Sequence, residues 1–271
     1  MLHEIIHLNE YYPLSEDPVL EITTIEVMDV KKREKSPAVL IAPGGGYDFI
    51  SKREGDPVAV TFMARGYITC KLVYSTDPVH HRIHYPVPQL EMLAAMDYLV
   101  RHHEKYSIDP ARVAVIGFSA GGHLAATYAY KYPEIAGLVG ISDVGHLRPK
   151  ALCLCYPVIT LVNRTHQGTK DNITGKNPLL DEELSAELHV GRDYPPTLIW
   201  TTLEDNDVDP ISTVLMDRAL TQAGVEHQTI FYPHGCHGLG LATSLTSWDG
   251  KVYPDVAGWV DAFDRFFSQV K

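Results

Sequence analysis

Gly117-Phe118-Ser119-Ala120-Gly121 joins two stretches of opposite character. Val113-Ala114-Val115-Ile116 before it reads as a buried strand, and His123 to Tyr130 after it, rich in alanine, as a helix. A serine at such a passage must turn the chain sharply, in a backbone conformation that side chains rarely adopt. Glycine on either side removes the Cβ atoms that would collide with neighbouring strand and helix. The hydroxyl is left exposed above a sheet, in front of a helix N-terminus that favours developing negative charge. The pentapeptide alone is a short pattern; strand, turn and helix together make it restrictive. It reads as a nucleophile elbow, provided the partners such a serine needs lie elsewhere in the chain.

The rest of the chain has the same rhythm. Apolar runs alternate with helical patterns, which argues for crossover units and a parallel sheet. His3 to Leu8 and Val19 to Met28 read as opening strands, antiparallel to each other. Ala38 to Ile41 is a buried strand ending at Pro43, Asp56 to Arg65 a helix, and Tyr67 to Tyr74 the next strand. Leu90, Leu93, Met96 and Val100 share one face of the helix that leads to the elbow strand. Ala151 to Tyr156 and Thr197 to Thr202 are further core strands, and His227 to Tyr232 is the last. Ile211 to Ala223 forms a helix ended by Gly224, and Val256, Trp259, Val260, Phe263 and Phe267 an amphipathic C-terminal one. The fold class is therefore α/β, a mostly parallel central sheet flanked by helices, in a single domain over residues 1–271. Only 158–196 resists this reading: it is polar, broken by Gly168, Gly175 and Pro178, and long for a connection. It reads as a lid or substrate-shaping insertion before the strand at Thr197.

A formal charge of −11 over 271 residues argues against nucleic acid and anionic membrane as partners. The N-terminus resembles no signal peptide, and the four cysteines lie mostly in apolar runs, so reduced thiols in a cytoplasm are expected. Without secretion the glycosylation patterns at Asn163 and Asn172 carry no meaning. A small-molecule substrate is the partner expected, and a homo-oligomer is compatible with all of this.

A serine hydroxyl is a poor nucleophile until a base takes its proton, and the base needs a third group to hold it. On this type of sheet the order is serine, acid, histidine, each on a loop after a strand. After the last strand come His234 and His237, set among Gly235, Gly238 and Gly240; His237, between small residues, is the better base. After Thr197–Thr202 four carboxylates crowd together: Glu204, Asp205, Asp207 and Asp209. Asp205, three residues before Val208, has the spacing usual for such a loop; Asp207 is the alternative, and Asp209 suits the N-cap of the helix that follows. Oxyanion donors are expected from the N–H of Ala120 and from the loop Pro43-Gly44-Gly45-Gly46-Tyr47, whose glycines let the backbone approach a substrate. That run lacks the lysine-serine/threonine signature and the wider spacing of a phosphate-binding loop.

Together Pro43-Gly44-Gly45-Gly46-Tyr47, Ser51-Lys52-Arg53-Glu54-Gly55-Asp56-Pro57, Gly117-Phe118-Ser119-Ala120-Gly121-Gly122-His123, Ser185-Ala186-Glu187-Leu188-His189-Val190 and His237-Gly238-Leu239 resemble the small α/β-hydrolase esterases. The branch is that of bacterial acetyl-xylan and feruloyl esterase domains and of hormone-sensitive-lipase-type carboxylesterases, and the likeness runs from Ile41 to Ala242. It implies an α/β-hydrolase fold, a triad of Ser119, Asp205 and His237, and Gly45, Gly46 and Ala120 around the oxyanion. It also implies hydrolysis of short acyl esters, acetyl groups on sugars above all, without metal or other cofactor. Two positions depart from the branch: Pro43 stands where lipase-type relatives carry histidine before the glycines, and Thr201-Thr202 where many carry histidine before the acid loop. The same triad cuts amides, so a serine aminopeptidase or amidase is the rival reading. A non-catalytic binding protein on the same fold is the other.

Remaining residues have plainer readings. Tyr47 is a candidate wall of the acyl pocket, against simple packing. Arg53 is expected to hold its loop through an ion pair. His80, His81 and His84, bracketed by prolines and without a nearby carboxylate, read as a polar loop near the substrate mouth and not as a zinc site. His102 and His103 close a helix, and Cys236 reads as a packed thiol.

Overall fold

A computed structural model describes residues 1–25, 35–77, 79 and 82–271. Eight strands, β1 (Leu2–His7), β2 (Val19–Thr24), β3 (Ser36–Ala42), β4 (Ile68–Val73), β5 (Ile108–Phe118), β6 (Leu152–Cys155), β7 (Thr197–Thr202) and β8 (His227–Tyr232), form one sheet in the order β1-β2-β4-β3-β5-β6-β7-β8. β2 pairs antiparallel with β1 and β4, and every other pairing is parallel. The expected antiparallel opening is present, with β2 ending at Thr24; the stretch from Glu26 to Met28 lies outside the described residues, as do Pro78, His80 and His81.

The parallel strands are apolar on both faces because helices cover both. Along β3, Ala38, Leu40 and Ala42 face one core while Val39 and Ile41 face the other. β5 alternates in step, with Val113 and Val115 opposite Ala114, Ile116 and Phe118. The first core is closed by α2 (Val87–Arg101) and α4 (Ala120–Ile135), the second by α1 (Asp56–Met63) and, after the short α8 (Pro254–Ala257), by α9 (Trp259–Gln269). Trp259, Phe263 and Phe267 of α9 are all buried, and the Trp259 and Trp200 rings stack at 5.8 Å. α3 (His103–Tyr106) continues α2, whose end His102 and His103 mark by Nδ1 contacts with the carbonyls of Tyr98 and Val100. α7 (Ile211–Ala223) ends at Gly224 with φ 71°, and Asp209 Oδ1 accepts the N–H of Ile211 at its start.

The stretch 158–196 is not bare loop. It holds α5 (Gln167–Thr174), α6 (Leu180–Glu183) and a 3-10 turn at Ala186–Leu188. His166 caps α5, its Nδ1 accepting the N–H of Thr169. Among the described residues no helix is long and apolar enough to cross a membrane.

Candidate active site

Strand order brings four loops to one end of the sheet: those after β3, β5, β7 and β8. The loop after β5 is the serine turn. Ser119 adopts φ 52° and ψ −117° at the start of α4. A Cβ on Gly117 would lie 2.4 Å from the carbonyl oxygen of Gly121, and one on Gly121 would lie 2.1 Å from that of Ala42. Both distances are impossible contacts with backbone, so the two glycines let α4 pack against the ends of β3 and β5.

His237 meets this serine from the loop after β8. Its Nε2 lies 2.9 Å from Ser119 Oγ, and its Nδ1 lies 2.7 Å from Asp205 Oδ2. Asp205 has the other oxygen filled by the N–H groups of Asp207 and Val208, at 3.0 and 2.9 Å. A carboxylate so placed accepts from Nδ1–H, which leaves Nε2 to accept the serine proton. The Asp205 side chain is fully buried. Burial opposes charge on His237, yet the hydrogen bond and the charge of Asp205 outweigh it, and with Glu54 and Asp207 they raise its pKa above the ordinary histidine value. Of the two candidate acids the structure sets Asp205 against His237; Asp207 lines the cleft nearby. His234 turns outward and pairs with Glu204 at 2.9 Å.

The loop after β3 folds on itself, the carbonyl of Gly45 accepting from Asp48 and Phe49 N–H at 2.9 and 3.1 Å. Gly45 and Gly46 have φ of 126° and 67°. Among the described residues no group accepts from the N–H of Gly45, Gly46 or Ala120, whereas the N–H of Gly44 is taken by Glu54. Tyr47 corrects the expectation of a pocket wall. It is 2% exposed, and its hydroxyl contacts His123 Nδ1 at 2.8 Å while His123 Nε2 contacts the carbonyl of Leu184. Burial lowers the His123 pKa to about 4, so the ring is neutral: Nε2–H donates to Leu184 and Nδ1 accepts from Tyr47. A left-handed φ of 59° at Tyr47 turns its side chain into the core, and the neighbours Asp48 and Phe49 line the cleft instead.

That cleft has a volume of about 490 Å³. Gly45, Gly46, Ser119 and His237 line its floor, and the insertion contributes His166, Gly168 and Asn172. Asn172 Nδ2 donates to the carbonyl of Gly46 at 2.9 Å, which ties α5 to the glycine loop. His166 carries no signal in the sequence, and Asn172 appears there only within a glycosylation pattern. At the mouth Trp248 is 76% exposed, one face of its indole 5.1 Å from the Arg53 guanidinium. Among the described residues Arg53 is in no ion pair; it donates to the carbonyls of Gly238 and Thr246 and so holds the histidine loop.

The two departures from the esterase pattern have local partners. Tyr74 donates to the carbonyl of Pro43 at 2.7 Å, and Thr202 Oγ1 donates to that of Gly235 at 2.8 Å. No group of histidine, cysteine and carboxylate side chains able to hold a metal ion occurs among the described residues.

A family model described as BD-FAE matches residues 26–220. The chain is 32% identical to endo-1,4-beta-xylanase B of Butyrivibrio fibrisolvens over 81% of its own length and 35% of that protein. It is 28% identical to an acetylxylan esterase of Xylanibacter ruminicola over 82% of its length and 45% of the relative. It thus spans less than half of either relative. Among solved structures, an acetyl ester-xyloside bifunctional hydrolase from Caldicellulosiruptor lactoaceticus superposes with a TM-score of 0.83 at 29% identity, covering 98% of this chain and 96% of that one. A carboxylesterase from Lactobacillus plantarum does so with a TM-score of 0.86 at 27% identity, over 99% and 98% of the two chains.

Proposed function

The chain belongs to the BD-FAE family and has the α/β-hydrolase fold, and from that premise we propose that it is a serine carboxylesterase removing short acyl groups, acetyl above all, from a sugar. The observation that carries this is the run of contacts from Asp205 through His237 to Ser119, at 2.7 and 2.9 Å. Ser119 Oγ attacks the acyl carbonyl as His237 Nε2 takes its proton, and Asp205 holds the imidazolium that results. The N–H groups of Gly45, Gly46 and Ala120 are the donors for the oxyanion. Collapse returns the proton from His237 to the leaving alcohol and leaves an acyl group on Ser119. Water, activated by the same imidazole, then releases the acid.

A sugar as the alcohol is supported by the mouth of the cleft. Exposed Trp248 and Phe49 offer ring faces, while Asp48, Asp207 and Asn172 offer polar groups for hydroxyls. The names of the relatives point the same way, to acetylxylan and acetyl ester-xyloside substrates.

The test is a substrate comparison: an activated acetyl ester, acetylated xylo-oligosaccharides, an octanoyl ester and an aminoacyl amide. Acetyl esters should be hydrolysed fastest, and Trp248→Ala should raise KM for the acetylated sugar but not for the activated ester. Preferential cleavage of the amide would replace the esterase reading by an amidase, and no turnover at all would favour a binding protein.

A further inference from the structure

Glu54 is a carboxylate buried where the chemistry above gives it nothing to do. It is 2% exposed, on a 3-10 turn at Lys52–Glu54 that lies between the glycine loop and the histidine loop. Its Oε2 accepts the N–H of Gly44 at 2.8 Å, and its Oε1 accepts the hydroxyl of Tyr156 at 2.8 Å. Tyr156 in turn accepts the N–H of Gly240 at 2.8 Å and sets its ring edge-on to His237, centroids 5.0 Å apart. One side chain thus reaches the loop that carries the oxyanion donors and, through a phenol, the loop that carries the base.

We propose that Glu54 is the positioning residue of this site, joining the glycine loop to the histidine loop through Gly44, Tyr156 and Gly240 while placing a negative charge near the imidazole. The proposal rests on the esterase reading above.

The chemistry of the contacts requires an acceptor at both oxygens. Gly44 presents an N–H that has no other partner among the described residues, and Tyr156, already accepting from Gly240, has only its proton to give. Glutamine would turn an NH2 group against one of these donors. A buried carboxylate is costly unless its oxygens are filled, and a core that needed only packing would be served by an apolar residue. With Gly44 N–H bound, the glycine run is anchored at its first residue, and Gly45 and Gly46 keep their N–H groups free for a substrate. Tyr156 stays a phenol, because burial, with the charge of Glu54, raises its pKa well above the usual value. His237 is faced by Asp205 and Asp207 from the loop after β7, by His166 from the insertion, by Tyr156 from the loop after β6 and by Glu54. The charge of Glu54 acts in the same direction as Asp205 and favours the imidazolium.

Glu54→Gln separates this role from mere packing. In E54Q, kcat on an activated acetyl ester should fall roughly 100-fold, the scale of a misplaced reacting group, with KM within about threefold. The acid limb of kcat/KM should also move to lower pH, and the midpoint of the His237 ring resonances, followed by NMR, should move with it. A folded E54Q with wild-type kcat overturns the proposal, and so does a lost kcat with an unmoved His237 midpoint. Should E54Q not fold, Tyr156→Phe decides: kcat falls with KM held, whereas wild-type kcat in Y156F contradicts the linkage. The NMR comparison needs no turnover, so an inactive wild type would sink the esterase reading and still leave the Glu54 charge testable.

Discussion

Ser119 is held in a conformation that costs on the order of 1–3 kcal/mol, and the packing of Gly117 and Gly121 against backbone keeps it there. What the strain achieves is direction: Oγ meets His237 Nε2 instead of entering α4. Asp205 is placed as specifically. Asp205 spends one oxygen on two backbone N–H groups and points the other at Nδ1, while Asp207 is anchored by its own N–H to Asp205. Asp205→Asn would present an amide that can donate to Nδ1 and favour the wrong imidazole tautomer. It should lower kcat by about 10⁴-fold. Asp207→Asn should cost less than about tenfold, since only its charge near His237 is lost. Steady-state rates of the two variants side by side decide between the acids. Tyr47, which next to the glycines is a candidate for either a pocket wall or simple packing, packs into the core. Its left-handed backbone sets that direction, and neither the glycines nor the aromatic ring foretell which residue of the loop takes the positive φ.

At the scale of elements the sheet order does most to build the site. Parallel strands carry their following loops to one end, so a serine after β5, an acid after β7 and a histidine after β8 meet without any motif joining them. That is why strand pattern points to the loops that carry Ser119 and His237, while spacing prefers Asp205 but leaves Asp207 open; the structure brings Ser119, Asp205 and His237 into contact. The insertion was readable only as an interruption. Its α5 touches the glycine loop through Asn172, and its α6 end touches the same loop through Leu184, His123 and Tyr47. Contacts of this kind join residues 61, 76 and 126 positions apart and leave no periodic trace. Asn172→Ala should therefore lower kcat by roughly three- to tenfold, the worth of one neutral hydrogen bond, with little change in melting temperature. Thermal unfolding beside kinetics checks it; an unchanged kcat would mean that α5 does not steady the loop.

For the whole molecule, two apolar cores enclose the sheet and leave the chemistry to its loop end. The alternation of runs and helical patterns made this architecture legible, and strand limits shifted by only a few residues. What stayed hidden was the wiring between loops, above all Glu54 with Tyr156 and Arg53 with Gly238, since a turn of three residues gives no sign of what it will bridge. The net charge of −11, together with Asp48 and Asp207 at the cleft, suits a neutral sugar ester better than an anionic one. All of this rests on Ser119 forming an acyl-enzyme. The most direct measurement is intact-protein and peptide mass spectrometry after a brief exposure to an activated acetyl ester near neutral pH and an acid quench, which protonates His237 and stops deacylation. One acetyl group should be found, on the peptide carrying Ser119, and it should be absent from Ser119→Ala, which should also have lost turnover. Acetyl on another residue, or turnover surviving in S119A, would contradict the account.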